Sequence, residues 1–276
     1  MRAYVTLLST INYLLGVIVL GESLRQVGAT YPLWVALSES IPPNIDALLR
    51  HKGMHVIRLP ASIEIPSQLK EKSGYWGNTF DKLHLFGLTK FDKLVYLDSD
   101  MMVLLNIDEL FEKPHMSAVA AGRLVHPGWE RLNSGLMVIE PAAQLPEKIA
   151  ATLQEMLHEI DVMANNTIGD QDLINAYYPE WPDSQVLHLD QGYNVFYSDM
   201  DVYVNQHGYS LPGMPGKEIR PVRVVHFVGR HKPWMKWAGL RHFSDTFGKR
   251  LSTKWERSTF LMYRRLLKKI QPLQGF

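Results

Sequence analysis

The sequence predicts an α/β fold built on a mostly parallel β-sheet that is covered by helices on both faces. Two observations support this class. Short runs of Val, Ile, Leu and aromatic residues, typical of buried strands, alternate along the chain with segments whose apolar residues have helical spacing. Of the 276 residues, 46% are hydrophobic, which is enough for one large domain or for one domain with an appendage.

The predicted elements alternate regularly in the first part of the chain and less regularly in the second. We expect strands at residues 3–8, 32–37, 55–59 and 94–97, and helices at 12–25, 44–51 and 80–88. Further strands are expected at 117–121, 135–139 and 222–227, and helices at 147–160 and 170–177. Residues 193–204 are rich in aromatic and β-favouring residues, and 208–216 form a predicted loop. Strands joined by helical crossovers produce this alternation.

The C-terminal part of the chain is strongly basic. From Arg230 onward there are 12 Lys or Arg residues and 2 acidic residues, whereas the whole chain has a net charge of +1. Residues 255–270 place an aromatic and apolar face opposite cationic side chains, which predicts a basic amphipathic helix. We therefore divide the chain into a domain at 1–237 and a basic helical extension at 238–276. The helix has two interpretations: a packed final helix with a solvated basic face, or a docking element for an anionic membrane.

The composition excludes several classes of site. Cysteine is absent, which excludes disulfides, cysteine–zinc sites and thiol nucleophiles and suits a reducing compartment. The apolar stretch 13–20 is too short to span a bilayer and is better explained as the first helix. Nucleic-acid binding is not expected, because no basic groove with aromatic stacking residues is evident. We expect a soluble cytoplasmic protein, with peripheral membrane attachment as an open alternative.

The most informative motif is Asp98-Ser99-Asp100, which directly follows the apolar run 94–97. The carboxyl ends of strands are where ligands bind in open α/β sheets. Two carboxylates at such an edge suit Mg²⁺ or Mn²⁺, and the partner of such an ion is usually a diphosphate. The alternative is a polar strand end that starts a turn.

A second candidate segment begins at His226, inside or at the end of a predicted strand. A neutral imidazole is able to complete the coordination of a Mn²⁺ ion that two carboxylates already hold. Gly229 would let the backbone approach a phosphate closely, and Lys232 would supply a positive charge. The alternative is a core histidine packed against Phe227.

Three further segments carry polar or aromatic residues at predicted element ends. Asp170 and Gln171 stand at a predicted helix start, where they either face a sugar or cap the helix. Asn133 and Ser134 precede a predicted strand, as a turn or as a sugar-binding loop. Tyr13 follows the first strand, where it either stacks on a base or lies on the helix surface.

Taken in order, these segments resemble glycosyltransferase family 8, the group that includes glycogenin, galactinol synthase and lipopolysaccharide galactosyltransferases. The resemblance runs from about residue 3 to residue 237 and is nearest to the glycogenin-like members. It rests on the following segments: residues 3–7, Tyr13, residues 21–24, Asp81-Lys82-Leu83, Asp98-Ser99-Asp100, residues 106–111, Asn133-Ser134-Gly135, Gly169-Asp170-Gln171 and residues 226–234.

The resemblance implies a GT-A fold, with a Rossmann-like mixed sheet flanked by helices, and a retaining transferase. Such an enzyme would move glucose or galactose from a UDP-sugar to an acceptor hydroxyl with Mn²⁺ or Mg²⁺. It implies metal ligands Asp98, Asp100 and His226, and catalytic roles for Asp170, Gln171 and Lys82. The donor-binding residues implied are Leu7, Ser9, Tyr13, Lys82, Asp98, Ser99, Asp100, Asn133, Ser134, Asp170, Gln171, His226, Gly229 and Lys232. No nucleophile is assigned, since no carboxylate is clearly placed for one.

Several questions stay open at the level of the sequence. The acceptor is a carbohydrate, a lipid-linked sugar or a protein, and a homodimer is an open alternative. Self-glucosylation, as in glycogenin, would use Tyr197 or Tyr203. Residues 66–78 depart from the glycogenin-like pattern and are expected to remodel the donor or acceptor site. A nucleotidylyltransferase is disfavoured because residues 8–12 lack a Gly-rich basic loop, while a non-catalytic nucleotide-sugar-binding module is a competing interpretation.

Overall fold

The computed structural model describes residues 1–61, 79–160, 168–213, 220–229, 231–235 and 253–270, apart from the side chains of residues 154 and 157–160. Its strands, numbered along the chain, are β1 (Arg2–Leu8), β2 (Leu33–Leu37), β3 (His55–Arg58), β4 (Lys93–Leu97), β5 (Met101–Val103), β6 (Ala118–Val119), β7 (Asn133–Ile139), β8 (Val195–Phe196), β9 (Tyr209–Ser210), β10 (Arg220–Pro221) and β11 (Val224–His226). Its described α-helices are α1 (Leu14–Gln26), α2 (Asn44–His51), α3 (Leu145–Ile160), α4 (Asp170–Tyr177), α5 (Met200–His207) and α6 (Lys254–Ile270).

The central sheet has six strands in the order β3-β2-β1-β4-β7-β6. The first four strands in that order are parallel, whereas β7 pairs antiparallel with both β4 and β6. This is the mixed sheet of the expected GT-A fold. The parallel part follows from the alternation of strands and helices, because a parallel pair needs a long crossover connection.

Both faces of the central sheet are covered, as the sequence predicts. Along β1, Tyr4 and Leu8 belong to one hydrophobic core, which includes residues of α1 and α6. Ala3, Val5 and Leu7 belong to the other, which includes residues of α3, α4 and the 3-10 helix Thr79–Gly87. Burial on both faces explains why the strands read as continuous apolar runs instead of alternating ones.

The helix expected at 80–88 is present as a 3-10 helix, Thr79–Gly87. Two other expectations about secondary structure need correction. The strand expected at 117–121 has only two residues, Ala118–Val119. The β-favouring stretch 193–204 is mostly helical, with a strand at Val195–Phe196 alone. Helix α5 ends at Gly208, whose φ of +71° gives the left-handed C-terminal cap that glycine favours. The local β propensity is therefore overridden by this cap and by burial of Met200 and Tyr203 on one helix face.

A second sheet has three strands in the order β5-β11-β8. Its strand β5 directly follows the aspartate motif in the chain. Strand β11 pairs antiparallel with β5, with His226 opposite Met101, and parallel with β8, with His226 opposite Phe196. Three segments that are far apart in the sequence thus meet next to the carboxyl end of β4. This small sheet sets the position of His226.

The predicted basic amphipathic helix is present as α6. Its apolar face packs into the same core as α1, with Tyr263, Leu266 and Leu267 buried. The proposed boundary at residues 237 and 238 lies outside the described residues, as does the segment 66–78 that departs from the glycogenin-like pattern. No helix in the described part of the chain combines the length and apolar character needed to cross a membrane.

Candidate active site

Asp98 and Asp100 lie in a tight turn at the carboxyl end of β4. The backbone N–H of Asp98 donates to the carbonyl of Gly135 at 2.8 Å, and the N–H of Met101 donates to the carbonyl of Asp98 at 3.1 Å. Asp100 is buried, whereas the side chain of Asp98 is 27% exposed. The motif therefore occupies the ligand-binding edge of the sheet, as expected from the sequence.

The imidazole of His226 faces both aspartates. Its Nε2 atom lies 3.7 Å from Oδ2 of Asp98 and 3.2 Å from Oδ1 of Asp100. One ligand atom from each of the three residues lies within 4.8 Å of the other two. The pairing of β11 with β5 causes this, because it places His226 opposite the residue that follows Asp100. The three predicted metal ligands are thus assembled in space.

In each aspartate, one carboxylate oxygen faces the imidazole and the other contacts a neighbouring side chain. Oδ1 of Asp98 accepts from the hydroxyl of Tyr96 at 2.5 Å and lies 3.2 Å from Nζ of Lys82. Oδ2 of Asp100 lies 2.5 Å from Nζ of Lys232. The remaining oxygens, with an imidazole nitrogen, form the hard donor set that Mn²⁺ accepts readily and Mg²⁺ also uses. The residues present therefore fit a divalent cation.

A chain of side-chain amides sets the tautomer of His226. The backbone N–H of Gly135 donates to Oδ1 of Asn133 at 3.0 Å, which fixes the orientation of that amide. Asn194 must then present its NH₂ group to the same oxygen, and Nδ2 lies 2.8 Å from it. Its own carbonyl oxygen consequently faces Nδ1 of His226 at 3.0 Å. Because this oxygen only accepts, Nδ1 carries the proton.

The consequence concerns the other ring nitrogen of His226. In the neutral imidazole that would ligate a metal, a proton on Nδ1 leaves the lone pair on Nε2, and Nε2 is the atom that faces the two aspartates. A histidine that ligates a metal commonly donates its second N–H to an oxygen in this way. Asn194, which is fully buried, is therefore the outer partner of the predicted metal ligand.

Lys232 is buried beside Asp100. Its ammonium group also donates to the backbone carbonyl of Phe227 at 2.8 Å, which holds the segment after β11 against the aspartate. Burial alone would raise the pKa of Asp100, but the facing His226 and Lys232 lower that pKa well below its ordinary value. Asp100 is consequently an anion throughout the neutral pH range. Gly229, between β11 and Lys232, has a φ of +90°, a conformation that favours glycine.

Lys82 lies between two carboxylates. Its Nζ atom lies 2.5 Å from Oδ2 of Asp170 and 3.2 Å from the hydroxyl of Ser134, in addition to its contact with Asp98. Burial disfavours the charged ammonium, yet Asp170 and Asp98 raise the pKa of Lys82 above its ordinary value. Burial and the nearby Asp98 likewise raise the pKa of Tyr96, so its hydroxyl remains a donor. The residues expected at the sugar and phosphates thus form one buried charged cluster.

The start of α4 holds Gln171 against the start of β7. Oε1 of Gln171 accepts from Nδ2 of Asn133 at 2.8 Å and from the N–H of Ser134 at 3.2 Å. The capping role belongs to Asp172, whose Oδ2 accepts from the N–H of Gly169 at 2.9 Å. The carboxylate of Asp170 accepts from the Ser134 hydroxyl at 2.8 Å.

Tyr13 lies at the same edge of the sheet as Lys232. Its ring centroid is 5.5 Å from that of Trp234 and 5.5 Å from Nζ of Lys232. The indole N–H of Trp234 donates to the carbonyl of Asn12 at 2.8 Å. Gly16 makes this packing sterically feasible, because a Cβ there would lie 2.3 Å from the carbonyl oxygen of Ser99. The expected base-side and phosphate-side residues are therefore adjacent.

Leu7 and Ser9 lie at the same edge, although neither has a side-chain contact with the aspartates among those the structure describes. Strands β1 and β4 are parallel, with Val5 opposite Tyr96. The residues after Val5 consequently run alongside the segment that carries Asp98 and Asp100. Leu7 is buried in the second core, and Ser9 is partly exposed.

Three residues that shape this site were not predicted from the sequence: Asn194, Tyr96 and Gly16. For Gly135, which belongs to a predicted segment, the steric role was not predicted. Asn194 carries a weak signal, as a single amide inside the apolar run 193–196. A Cβ on Gly135 would lie 2.6 Å from Cε1 of His226, so this glycine leaves the room that the imidazole occupies. Gly16 carries no signal of its own, because its constraint comes from distant residues.

The chain belongs to glycosyl transferase family 8, whose model matches residues 4–238. It is 30% identical over 251 residues to inositol phosphorylceramide glucuronosyltransferase 1 of Arabidopsis thaliana, which covers 85% of this chain and 43% of that protein. It is 32% identical over 237 residues to glycogenin-1 of Mus musculus, which covers 84% of this chain and 65% of that protein. The chain therefore spans less than two thirds of the length of either relative.

Solved structures with the same fold include glycosyltransferases of low sequence identity. Galactosyltransferase LgtC, in complex with donor and acceptor sugar analogs, has a TM-score of 0.62 and 15% identity, and the match covers 98% of this chain and 96% of that chain. Apo GlyE of Streptococcus pneumoniae has a TM-score of 0.58 and 18% identity, and the match covers 98% and 63% of the two chains. These likenesses show the fold, which is the expected GT-A fold.

Proposed function

We propose that this protein is a metal-dependent, retaining glycosyltransferase that moves a hexose from a UDP-sugar to an acceptor hydroxyl. The observation that carries the proposal is the group of Asp98, Asp100 and His226, whose ligand atoms lie within 4.8 Å of one another at the carboxyl edge of the sheet. Membership of glycosyl transferase family 8 supports the same reaction class.

A bound Mn²⁺ or Mg²⁺ ion would neutralise the negative charge of the donor diphosphate. Residues that follow β11 would also help to bind the diphosphate. Lys232 supplies a second positive charge, and Gly229 lets the backbone approach a phosphate because no side chain stands in the way. Tyr13 offers an aromatic face for the uracil ring beside Lys232.

On the other side of Asp98, Asp100 and His226 lie the residues that would bind the hexose. Asp170 has one oxygen on Lys82 and Ser134 and would use its carboxylate to hold sugar hydroxyls. The two hydrogen bonds described for the side chain of Gln171 both go to Oε1, so its NH₂ group is the donor that would face the sugar near the anomeric carbon. The role of Lys82 is to hold the carboxylates of Asp98 and Asp170 in place through its contacts with both. We assign no nucleophile.

The transferred sugar is glucose or galactose in this proposal, with glucuronate as a third donor to test. The name of the plant relative includes a glucuronosyl group, and the mouse relative is a glycogenin, so similarity alone does not select the donor. A donor screen therefore has to contain UDP-glucose, UDP-galactose and UDP-glucuronate.

Self-glucosylation is a less favoured extension of the proposal. Tyr203 is fully buried, and its hydroxyl donates to Oε1 of Gln191 at 2.9 Å, so in the folded protein it does not reach a donor. Tyr197 is partly exposed and stacks at 5.4 Å on Phe227, the residue after the metal ligand His226. Intact-mass measurement after incubation with UDP-glucose and Mn²⁺ tests it, with Tyr197→Phe as the control.

We also propose that the outer face of α6 binds an anionic membrane surface. The exposed side chains of α6 are one apolar and six cationic residues, namely Leu261, Lys254, Arg257, Arg264, Arg265, Lys268 and Lys269. Within the described part of the chain, no carboxylate forms an ion pair with Arg264, Arg265 or Lys268. A basic helix face with an apolar residue in its centre is typical of interfacial helices.

The test of the proposed reaction is a donor-hydrolysis screen with the three UDP-sugars, in Mn²⁺ and in EDTA. We expect one donor to be hydrolysed in Mn²⁺ and none in EDTA. Asp100→Asn is the matched variant, since it keeps the size of the side chain and removes one metal ligand charge. Manganese-dependent uptake of UDP without hydrolysis or transfer would favour the binding-module alternative, and absence of that uptake would overturn the proposal.

A further inference from the structure

The loop between β6 and β7 carries an exposed aromatic pair, His126 and Trp129. Their ring centroids are 4.2 Å apart with an interplanar angle of 32°. Trp129 is 50% exposed, and it is the only aromatic among the large hydrophobic side chains that are exposed in the described residues. Neither residue has a place in the donor site described above. We call these two side chains the aromatic platform.

The loop that carries the aromatic platform is held in one conformation by its own contacts. The N–H groups of Val125 and His126 donate to the carbonyl of Gly122 at 2.9 and 2.8 Å, and the N–H of Trp129 donates to the carbonyl of His126 at 2.8 Å. Gly122 has a φ of +81°, and a Cβ there would lie 2.8 Å from Cε3 of Trp129. The platform is therefore preorganised, which lowers the entropy cost of binding a ligand.

The aromatic platform is linked to the metal ligands through one ring. The centroid of Trp129 lies 6.4 Å from that of Phe196, which in turn lies 5.6 Å from that of His226. Phe196 is held there by β8, in which it pairs with His226. The indole is thus no farther from the imidazole than these two distances together, which is about the length of a disaccharide. The platform consequently adjoins the centre of the site.

We propose that the aromatic platform is an acceptor subsite that stacks on the apolar face of a sugar ring. This inference rests on the proposed function and names the acceptor class as a carbohydrate. One face of a pyranose ring presents several C–H groups, which pack on an indole while the hydroxyls at the ring edge remain solvated. An exposed Trp beside a sugar-transfer site offers such a surface.

The surroundings of the platform favour a neutral sugar over a protein or a charged partner. Arg123 and Glu130, which flank the platform in the loop, form an ion pair with each other at 3.4 Å, so these two charges are matched. A stable protein interface buries about 800 Å² on each partner, far more than one half-exposed indole supplies. A single sugar ring needs only such a small apolar surface.

The experiment measures sugar binding by saturation-transfer NMR on the full chain with UDP and Mg²⁺, which is diamagnetic and leaves the sugar signals sharp. The probes are maltose, maltotriose and lactose. We expect wild-type protein to bind at least one of them, Trp129→Ala to bind it about tenfold more weakly, and Trp129→Phe to restore part of the affinity. Val186→Ala is the control, because Val186 is 75% exposed on a different part of the surface and should leave sugar binding unchanged.

Two results would overturn the subsite. One is wild-type protein that binds UDP with Mn²⁺ but none of the three sugars, which would leave the proposed reaction intact and assign the platform to another occupant. The other is Trp129→Ala protein with the sugar affinity of the wild type. Failure of the proposed function is distinguishable from both, since it appears as loss of manganese-dependent UDP binding in the wild type.

Discussion

The carbonyl oxygen of Asn194 accepts a hydrogen bond from Nδ1 of His226 at 3.0 Å, and this bond selects the ring nitrogen that faces Asp98 and Asp100. The selection starts at a backbone N–H, that of Gly135, and passes through two amides. We call Asp98, Asp100 and His226 the metal group. Its geometry therefore depends on Asn194, which is not itself one of the predicted metal ligands.

Replacing Asn194 with Ala should weaken manganese-dependent UDP binding by about 10- to 100-fold, as expected for loss of an outer partner of a ligating histidine. The cause is that Nδ1 of His226 loses its acceptor, so the ring is free to change tautomer and orientation. Calorimetry of UDP binding in Mn²⁺ and in EDTA measures the effect. Asn205→Ala is the matched control, since Asn205 bonds to Asp201 and to the indole of Trp255 and to none of the metal-ligating residues. Equal affinity of the Asn194→Ala and wild-type proteins would contradict the assignment.

Much of the metal group could be predicted from the sequence, because its signals are local. An apolar run followed by two carboxylates marks the end of β4, and a histidine at the end of a short β-rich run marks the end of β11. The contact of His226 with Asp100 depends instead on the pairing of β11 with β5. No local pattern encodes that pairing, so in this case the family resemblance supplied it.

The errors in secondary structure have a related cause. Residues 193–204 have β-favouring composition, yet α5 forms because a left-handed cap at Gly208 ends it and tertiary packing buries Tyr203. Asn194 was not predicted as part of the site because it lies in an apolar segment, directly before a strand of only two residues, so the local sequence gives little sign of where its side chain lies. Propensity predicts the long, regular strands β1 and β4 and fails where short segments are positioned by their neighbours.

Replacing Lys82 with Met should destabilise the protein by about 3–5 kcal/mol, the usual cost of leaving buried charges without a partner. Lys82 is buried and contacts both Asp170 and Asp98. Urea unfolding followed by circular dichroism measures the change. The double variant Lys82→Met with Asp170→Asn should recover part of the loss, because it removes one of the two stranded carboxylates. A single variant as stable as the wild type would show that the charges are solvated instead.

Two glycines of α1 should respond in opposite ways to replacement with Ala. A Cβ on Gly16 would lie 2.3 Å from the Ser99 carbonyl and 2.8 Å from the Trp234 ring, so Gly16→Ala should cost about 1–3 kcal/mol of stability and weaken UDP binding. A Cβ on Gly21 would meet only flexible side chains, the nearest being Sδ of Met54 at 3.0 Å. Gly21→Ala should therefore be neutral or stabilising by up to about 1 kcal/mol, through helix propensity.

Thermal unfolding and UDP calorimetry of both glycine variants distinguish this explanation from a general effect of helix mutation. The prediction requires a difference between two positions in one helix, in the sign or size of the stability change. Equal effects at Gly16 and Gly21 would mean that the backbone approach at Ser99 does not constrain the donor site.

The outer face of α6 should hold the protein on anionic vesicles but not on neutral ones. Each basic residue near such a surface contributes about 1 kcal/mol, so the double charge reversal Arg265→Glu with Lys268→Glu should lower vesicle binding by about thirtyfold or more. Both side chains are exposed. Arg264 is left intact, because it donates to the carbonyl of Pro233 at 3.0 Å, next to Lys232.

Co-sedimentation with phosphatidylserine-containing vesicles, compared with phosphatidylcholine vesicles, measures this binding. The control is Arg50→Glu with Lys113→Glu, which changes the net charge of the chain equally at two exposed positions outside α6. We expect the control to sediment like the wild type and the wild-type signal to fall as salt screens the interaction. If both double variants lose binding equally, net charge and not the face of α6 attracts the protein to the membrane. If the wild type sediments equally with both lipids, α6 is simply a packed final helix with a solvated basic face.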